Sequence, residues 1–254
     1  MAIEIAVRPG WYVTLRGHDA DLSEWSYELK PPFDPHICKL SEKEIGLWGD
    51  DFQKASGPSE VRELASAILR RLNGALKLSV RTEPVTIDAV VRCHEDGTQS
   101  RNHFLKAEGA VMRGYSSRPT LIVYDADGNV IPPPPPNPSE AQRWSNFARN
   151  NDTAADMLDH YGRADNWYDI YKTVELAERL VGGAHKLKKL QGSRAIDVTR
   201  LKRSANYYRH AALPIPEDML TTREASAILA DTVRAVLRIG IRAGSERGAT
   251  HPPT

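Results

Sequence analysis

The spacing of apolar positions divides this 254-residue chain into two regimes. From Ile3 to about Ile131 the pattern predicts short strands around one helix. IEIAVR (3–8) and WYVTLRG (11–17) are the opening strand segments, and VTIDAVVRC (85–93), FLKAEGAVMRG (104–114) and TLIVYD (120–125) follow, punctuated by turns at Asp96-Gly97 and Asp127-Gly128. Between them Val61, Leu64, Ala65, Ile68, Leu69 and Leu72 recur at helical spacing after a candidate cap, Ser59. The expectation is an α+β region, a mixed sheet with at least one packed helix.

IPPPPPNP (131–138) ends that regime, because proline fixes its own φ and has no backbone donor to give a helix or a central strand. A polyproline II spacer over 132–138 is expected, separating a recognition or sensing domain at 1–131 from a helical bundle at 139–243. In the second regime the period is helical throughout. Ser139 with Gln142 has the capping-box spacing, Asp152 can cap a helix through Leu158, and Trp167, Ile170, Tyr171, Val174, Ala177 and Val181 form a stripe that stops at Gly182-Gly183. A helix over about Asp197–Ala212 stops before Pro214 and Pro216. Thr221 and Glu224 then cap a last helix whose stripe of Ile228, Leu229, Val233, Val236 and Leu237 ends at Gly240, leaving 244–254 as a disordered tail. The bundle is expected to have four to five helices.

The segment LKRSANYYRHA (201–211) carries the candidate chemistry. At about 100° per residue, Ala205 and Tyr208 fall on the line of Leu201, which is therefore the core-facing stripe. Arg203, Asn206 and His210 share the opposite face, with Thr199. Two readings stay open for that face. It is a solvated polar surface, with His210 favoured by the helix C-terminus, or it is a site for phosphodiester chemistry. Arginine matches phosphate oxygens with a planar fork, and histidine exchanges protons near neutral pH.

Composition constrains the partners little. A formal charge of +1, 41% hydrophobic and 26% charged residues describe an ordinary folded chain. Charge is unevenly spread, however. Between Lys186 and His210 eight basic residues (Lys186, Lys188, Lys189, Arg194, Arg200, Lys202, Arg203, Arg209) face one acid, Asp197, a local patch suited to a phosphate backbone. No stretch approaches the ~20 apolar residues of a membrane span, no signal segment is legible at the N-terminus, and Cys38 and Cys93 are too few for a disulfide framework. A cytoplasmic protein with reduced thiols and no membrane contact is expected.

The helical half, with arginine and histidine late in its third major helix, resembles the HEPN superfamily, whose R-x(4–6)-H motif is matched by Arg203-SANYYR-His210 with six intervening residues. Asn206 and His210 keep the family's four-residue spacing, while Ala205 stands where the common form carries arginine. The resemblance covers about Ser139 to Ile239. It implies a homodimer that binds RNA and cleaves it as a metal-independent endoribonuclease in bacterial stress or phage defence. In that scheme Arg203 neutralises the scissile phosphate, His210 is general acid or base, Asn206 orients, and Arg209 supports the phosphate. Tyr207, Lys202, Arg200 and Thr199 would contact substrate, with no metal and no cofactor. The competing expectation follows from Ala205: a catalytically silent dimerisation or docking module behind an N-terminal domain that senses a ligand or partner.

Other constellations are weaker. His36, Cys38, Cys93 and His94 offer zinc-type ligands, but Cys93 and His94 are neighbours on a strand and point to opposite faces. DADGN (125–129) opens like a calcium loop but lacks the glutamate at its twelfth position. There is no glycine-rich phosphate loop, GxSxG or HExxH. Trp11, Trp25 and Trp48 fit a core as well as a pocket.

Overall fold

A computed structural model describes residues 7–41, 44–103, 136–192, 195–210 and 218–249, the stretch 244–249 by its backbone alone. The segments FLKAEGAVMRG, TLIVYD and DADGN, most of IEIAVR, the proline run through Pro135, and Pro214 and Pro216 lie outside the described residues.

The architecture is α+β, an N-terminal sheet followed by helices. The five strands among the described residues are β1 (Gly10–Arg16), β2 (His36–Ser41), β3 (Glu44–Trp48), β4 (Thr86–Cys93) and β5 (Gln99–His103), in the order β2-β3-β1-β4-β5. Every pairing among these described strands is antiparallel. For two of these pairings the reason is local: only two residues separate β2 from β3 and five separate β4 from β5, too few for the long crossover a parallel pair would need. Period-2 alternation places Trp11, Val13 and Leu15 in the main core and Tyr12 on the opposite face with Cys38, Ala89, Val91 and Cys93. Helix α1 (Asp19–Glu28) buries only Asp21 and Trp25, so it leaves almost no apolar stripe in the sequence. β5, QSRNH, is equally cryptic because, at the edge of the described sheet with four of its five residues exposed, it needs no apolar alternation.

Helix α2 (Pro58–Val80) begins with Pro58 in the first turn, the place where the missing N–H costs nothing. Its N-cap is Gly57, two residues ahead of the Ser59 expected from sequence. It lies against β1 and β4 on one side and against α3 (Glu140–Arg149) and α4 (Asp152–Gly162) on the other. Gly74 permits that close approach: a Cβ there would meet the carbonyl oxygen of Leu158 at 2.0 Å. One hydrophobic core therefore runs from Trp11 and Val90 of the sheet through Leu72 and Leu76 of α2 to Trp144, Met157 and Leu158. Gln142, buried in α3, adds a polar link by donating to the carbonyls of Lys30 (3.0 Å) and Pro35 (3.1 Å) in the loop before β2.

The remaining helices are α5 (Trp167–Val181), α6 (Ala184–Gln191), α7 (Ala195–His210) and α8 (Thr222–Ala249). The described helical half thus holds six helices, more than the four or five expected, because the short basic α6 carries only Leu187 as a buried residue. The Ser139–Gln142 capping box and the αL glycine cap at Gly182 are both present. Helix α8 corrects a boundary: it continues through Gly240 to Ala249, so 244–249 is helix where a disordered tail was expected. Gly240 is there for contact rather than termination, since a Cβ would stand 2.6 Å from the Phe147 ring.

Candidate nucleic-acid interface

Helices α5 and α7 run antiparallel, as three cross-helix pairs show. Lys202 donates to both carboxylate oxygens of Glu178 (2.8 Å each), Arg209 lies over the Tyr171 ring at 4.4 Å, and Trp167 stacks on Tyr208 with centroids 4.7 Å apart and planes 12° from parallel. The N-terminal end of α5 thereby meets the C-terminal end of α7. Tyr207 adds an edge contact to Tyr208 at 5.4 Å, and Tyr168, the next residue of α5 after Trp167, is 51% exposed.

The position of Tyr208 is a correction. Its angle on the helix puts it on the Leu201 line, yet it is 50% exposed, whereas Val198, Leu201, Ser204 and Ala205 are buried. A helical wheel gives direction but not what stands opposite along the axis. In the last turn of α7 the facing element is the first residue of α5, Trp167, so the tyrosine lies on an indole at the bundle rim. Trp167 and Tyr171, read from sequence as core stripe, are accordingly half-buried. Ser204 was the residue missed on the buried side, where its hydroxyl accepts from the Leu220 amide at 3.0 Å.

The polar face of α7 is exposed at Thr199, Arg203 and His210 and half-buried at Arg200, Lys202 and Asn206. Arg203 is ion-paired with Asp218, which also stands 3.5 Å from Arg200 Nε; Arg200 further approaches Asp197 at 4.0 Å. Thr199 donates back to its own helix, to Ala195 O at 3.0 Å. Arg203 and His210 sit about 10 Å apart along the helix axis at ~1.5 Å per residue. Lys186, Lys188 and Lys189 on α6 remain exposed, on a helix without acids.

A second group of polar side chains, not singled out from sequence, lies at the same end of α5. His160 in the last turn of α4 meets the buried Asp169 carboxylate at 2.7 Å through Nδ1. Asn166 caps α5, accepting from the Asp169 amide at 3.0 Å and donating to its carboxylate at 2.7 Å. The Tyr168 ring approaches His160 edge-on at 6.3 Å. Only the Asn-x-x-Asp capping spacing could have flagged half of this cluster; His160 joins it from another helix.

One concave site among the described residues is self-neutralised. A small cavity lined by Asp34, Asp51, Arg71, Ser145, Asn146 and Arg149 has Arg149 held by Asp34 (2.9 Å) and Asp51 (2.5 Å), and burial lowers the pKa of Arg71. Among the described residues no cluster of three or more His, Cys, Asp or Glu is placed to hold a metal ion, and no helix is long and apolar enough to cross a membrane. No protein-family model matches the chain, and neither a curated protein nor a solved structure does.

Proposed function

We propose that the helical half binds single-stranded RNA along α6, α7 and the start of α5. The observation that carries this reading is the aromatic group at this rim, with Tyr168 and Tyr208 exposed and Trp167 and Tyr207 half-buried, flanked by Arg209 and joined along α7 by the exposed lysines of α6. Unpaired bases stack on such rings without regard to sequence, at ~1–3 kcal/mol per base, while lysines alongside follow the phosphates. A duplex hides its base faces and cannot use these rings.

The Arg203 and His210 pair implied by the HEPN resemblance enters this reading as a binding face rather than as the cleaving pair. Arg203 would have to exchange Asp218 for a phosphate, and such exchange is accessible because the ion pair is half-exposed and worth little. Fluorescence anisotropy with a labelled single-stranded oligonucleotide tests the proposal. Binding that weakens with added salt, and that a duplex of the same sequence competes for poorly, is the expected result. Equal affinity for the duplex would remove stacking as the mode, and no binding to either would favour a protein-docking face.

A further inference from the structure

We infer that the small cavity where α2 and α3 meet the loops beside the sheet is a binding site for a carboxylate group, with Arg71 as its cation and Ser145 and Asn146 as further hydrogen-bond donors. The site is separate from the nucleic-acid reading, since no residue of α5, α6 or α7 lines it. The loop before β2 supplies Asp34, the segment after β3 supplies Asp51, α2 supplies Arg71, and α3 supplies Ser145, Asn146 and Arg149.

Charge balances there, but hydrogen bonding does not. Two arginines face two aspartates, and each carboxylate oxygen is committed to a partner other than Arg71. Asp34 accepts from the Asp50 amide through Oδ1 (2.8 Å) and from Arg149 through Oδ2 (2.9 Å). Asp51 pairs with Arg149 through Oδ2 (2.5 Å) and faces Lys54 through Oδ1 (3.7 Å). Arg71 is left with no ion pair or hydrogen bond among the described residues, and its Nε is buried without an acceptor. Folded chains rarely leave a buried donor in that condition. Burial, and then the neighbouring Arg149 charge, lower the Arg71 pKa, as expected of a cation short of a counter-charge.

Ser145 makes the second, independent observation. It is 1% exposed and lines the cavity, yet its hydroxyl has no partner among the described residues. A helical serine can donate back to the carbonyl four residues earlier, as Ser23, Ser26 and Ser66 do, and Ser145 does not. Asn146, next along α3, is exposed, and its side-chain amide is likewise unpartnered among the described residues.

Size and charge select the ligand. The enclosed part of the cavity is about 10 Å³, room for a single oxygen atom, and the rest opens to solvent. A carboxylate suits that shape: one oxygen takes the enclosed place beside Arg71 and Ser145, and the other stays at the mouth with Asn146. Its single negative charge supplies the counter-charge that Arg71 lacks. A dianionic phosphate would set a second charge near Asp34 and Asp51, which share Arg149, and is disfavoured. Because α2 and α3 both donate, a bound carboxylate ties the sheet region to the helical half. A small free acid and an acidic side chain of a partner protein carry the same group.

The test titrates sodium acetate into the full chain, exchanged for chloride at constant ionic strength. NMR follows the Nε–Hε resonance of Arg71 and the backbone amides of Ser145 and Asn146. The expected result is a saturable shift of all three, with half-saturation at or below about 10 mM. Arg71→Gln should weaken binding at least about tenfold and Ser145→Ala about threefold to tenfold, read from the remaining amides. Neither variant should lower the melting temperature appreciably, since each removes a polar group that has no partner among the described residues. Arg70→Gln, whose arginine is 58% exposed one residue away, should bind as the wild type does. Parallel titrations with inorganic phosphate and with a blocked tripeptide containing one glutamate define the source. Phosphate should bind more weakly than acetate. Tighter binding of the tripeptide than of acetate assigns a partner's side chain, and an affinity no greater than acetate's assigns a small free acid. Shifts that do not saturate, phosphate binding tighter than acetate, or unchanged acetate binding by a folded Arg71→Gln would overturn the inference.

Discussion

Gly74 and Leu158 meet with no side chain between them: α2 crosses α4 so closely that a Cβ on residue 74 would lie 2.0 Å from the Leu158 carbonyl oxygen. Gly162 makes the reciprocal approach, where a Cβ would stand 3.2 Å from the Gly74 amide nitrogen. This crossing carries the core from the sheet into the helical half. The Gly74→Ala variant must push two helix backbones apart, because the obstructing atom is main chain and has no rotamer to yield. A loss of roughly 3 kcal/mol or more is expected, beyond the ~1–3 kcal/mol of ordinary overpacking. Urea unfolding of the variant checks this; a change below about 1 kcal/mol would show that the helices do not pack as closely as described.

Gln142 fastens the same junction through polar contacts. Replacing it with Ala leaves the Lys30 and Pro35 carbonyls without their buried donor and opens the capping box, at a cost of roughly 2–4 kcal/mol. Gln142→Glu is the sharper comparison. It retains an acceptor for the cap but points a carboxylate oxygen at two carbonyls, so it should be the less stable variant at pH 7 and should recover as the pH is lowered toward 4.

Tyr208→Ala should weaken single-stranded RNA binding by roughly tenfold, since one stacking surface is worth ~1–3 kcal/mol. Because the tyrosine is half exposed, the melting temperature should move little. Calorimetry alongside the binding isotherm separates the two effects. A large loss of stability with unchanged affinity would make the Trp167–Tyr208 stack a packing contact only.

Arg203→Ala should change stability by less than about 1 kcal/mol, because its Asp218 partner and the arginine are both substantially exposed. The same substitution should reduce the salt dependence of RNA binding by somewhat under one unit of slope. A stability loss well above that bound, measured in urea, would mean that the ion pair anchors the start of α8.

On the far face of the sheet, burial pushes the Cys38 thiol up to about 11 and the Tyr12 phenol up to about 12, and raises Cys93. The folded state therefore keeps protons that the unfolded chain releases. Stability is fully present below about pH 9 and falls as the pH rises toward 11. His36 has the opposite effect: burial lowers its pKa, so stability is full above about pH 6.5 and declines as the pH falls through the lower folded value. Denaturant midpoints taken from pH 5 to 11 should trace both limbs, and Cys38→Ala should shallow the alkaline one.

Where burial follows the helical or strand period, the sequence was sufficient. WYVTLR, VTIDAVVRC and the stripes of α2, α5 and α8 announce their own elements, and Ser139, Gly182 and Thr221 mark helix ends, because caps and periodicity act over a few adjacent residues. The exposed polar face of α7 was likewise legible from its angles. What the tertiary structure alone decided is which ends of those elements adjoin. Tyr208 leaves the core because α5 begins opposite it, His160 gains Asp169 from a different helix, Arg203 gains Asp218 from the segment before α8, and Gly240 serves a phenylalanine ring rather than a helix end. Each depends on a contact between residues on separate elements. Such contacts obey distance in space, and no period along the chain encodes them.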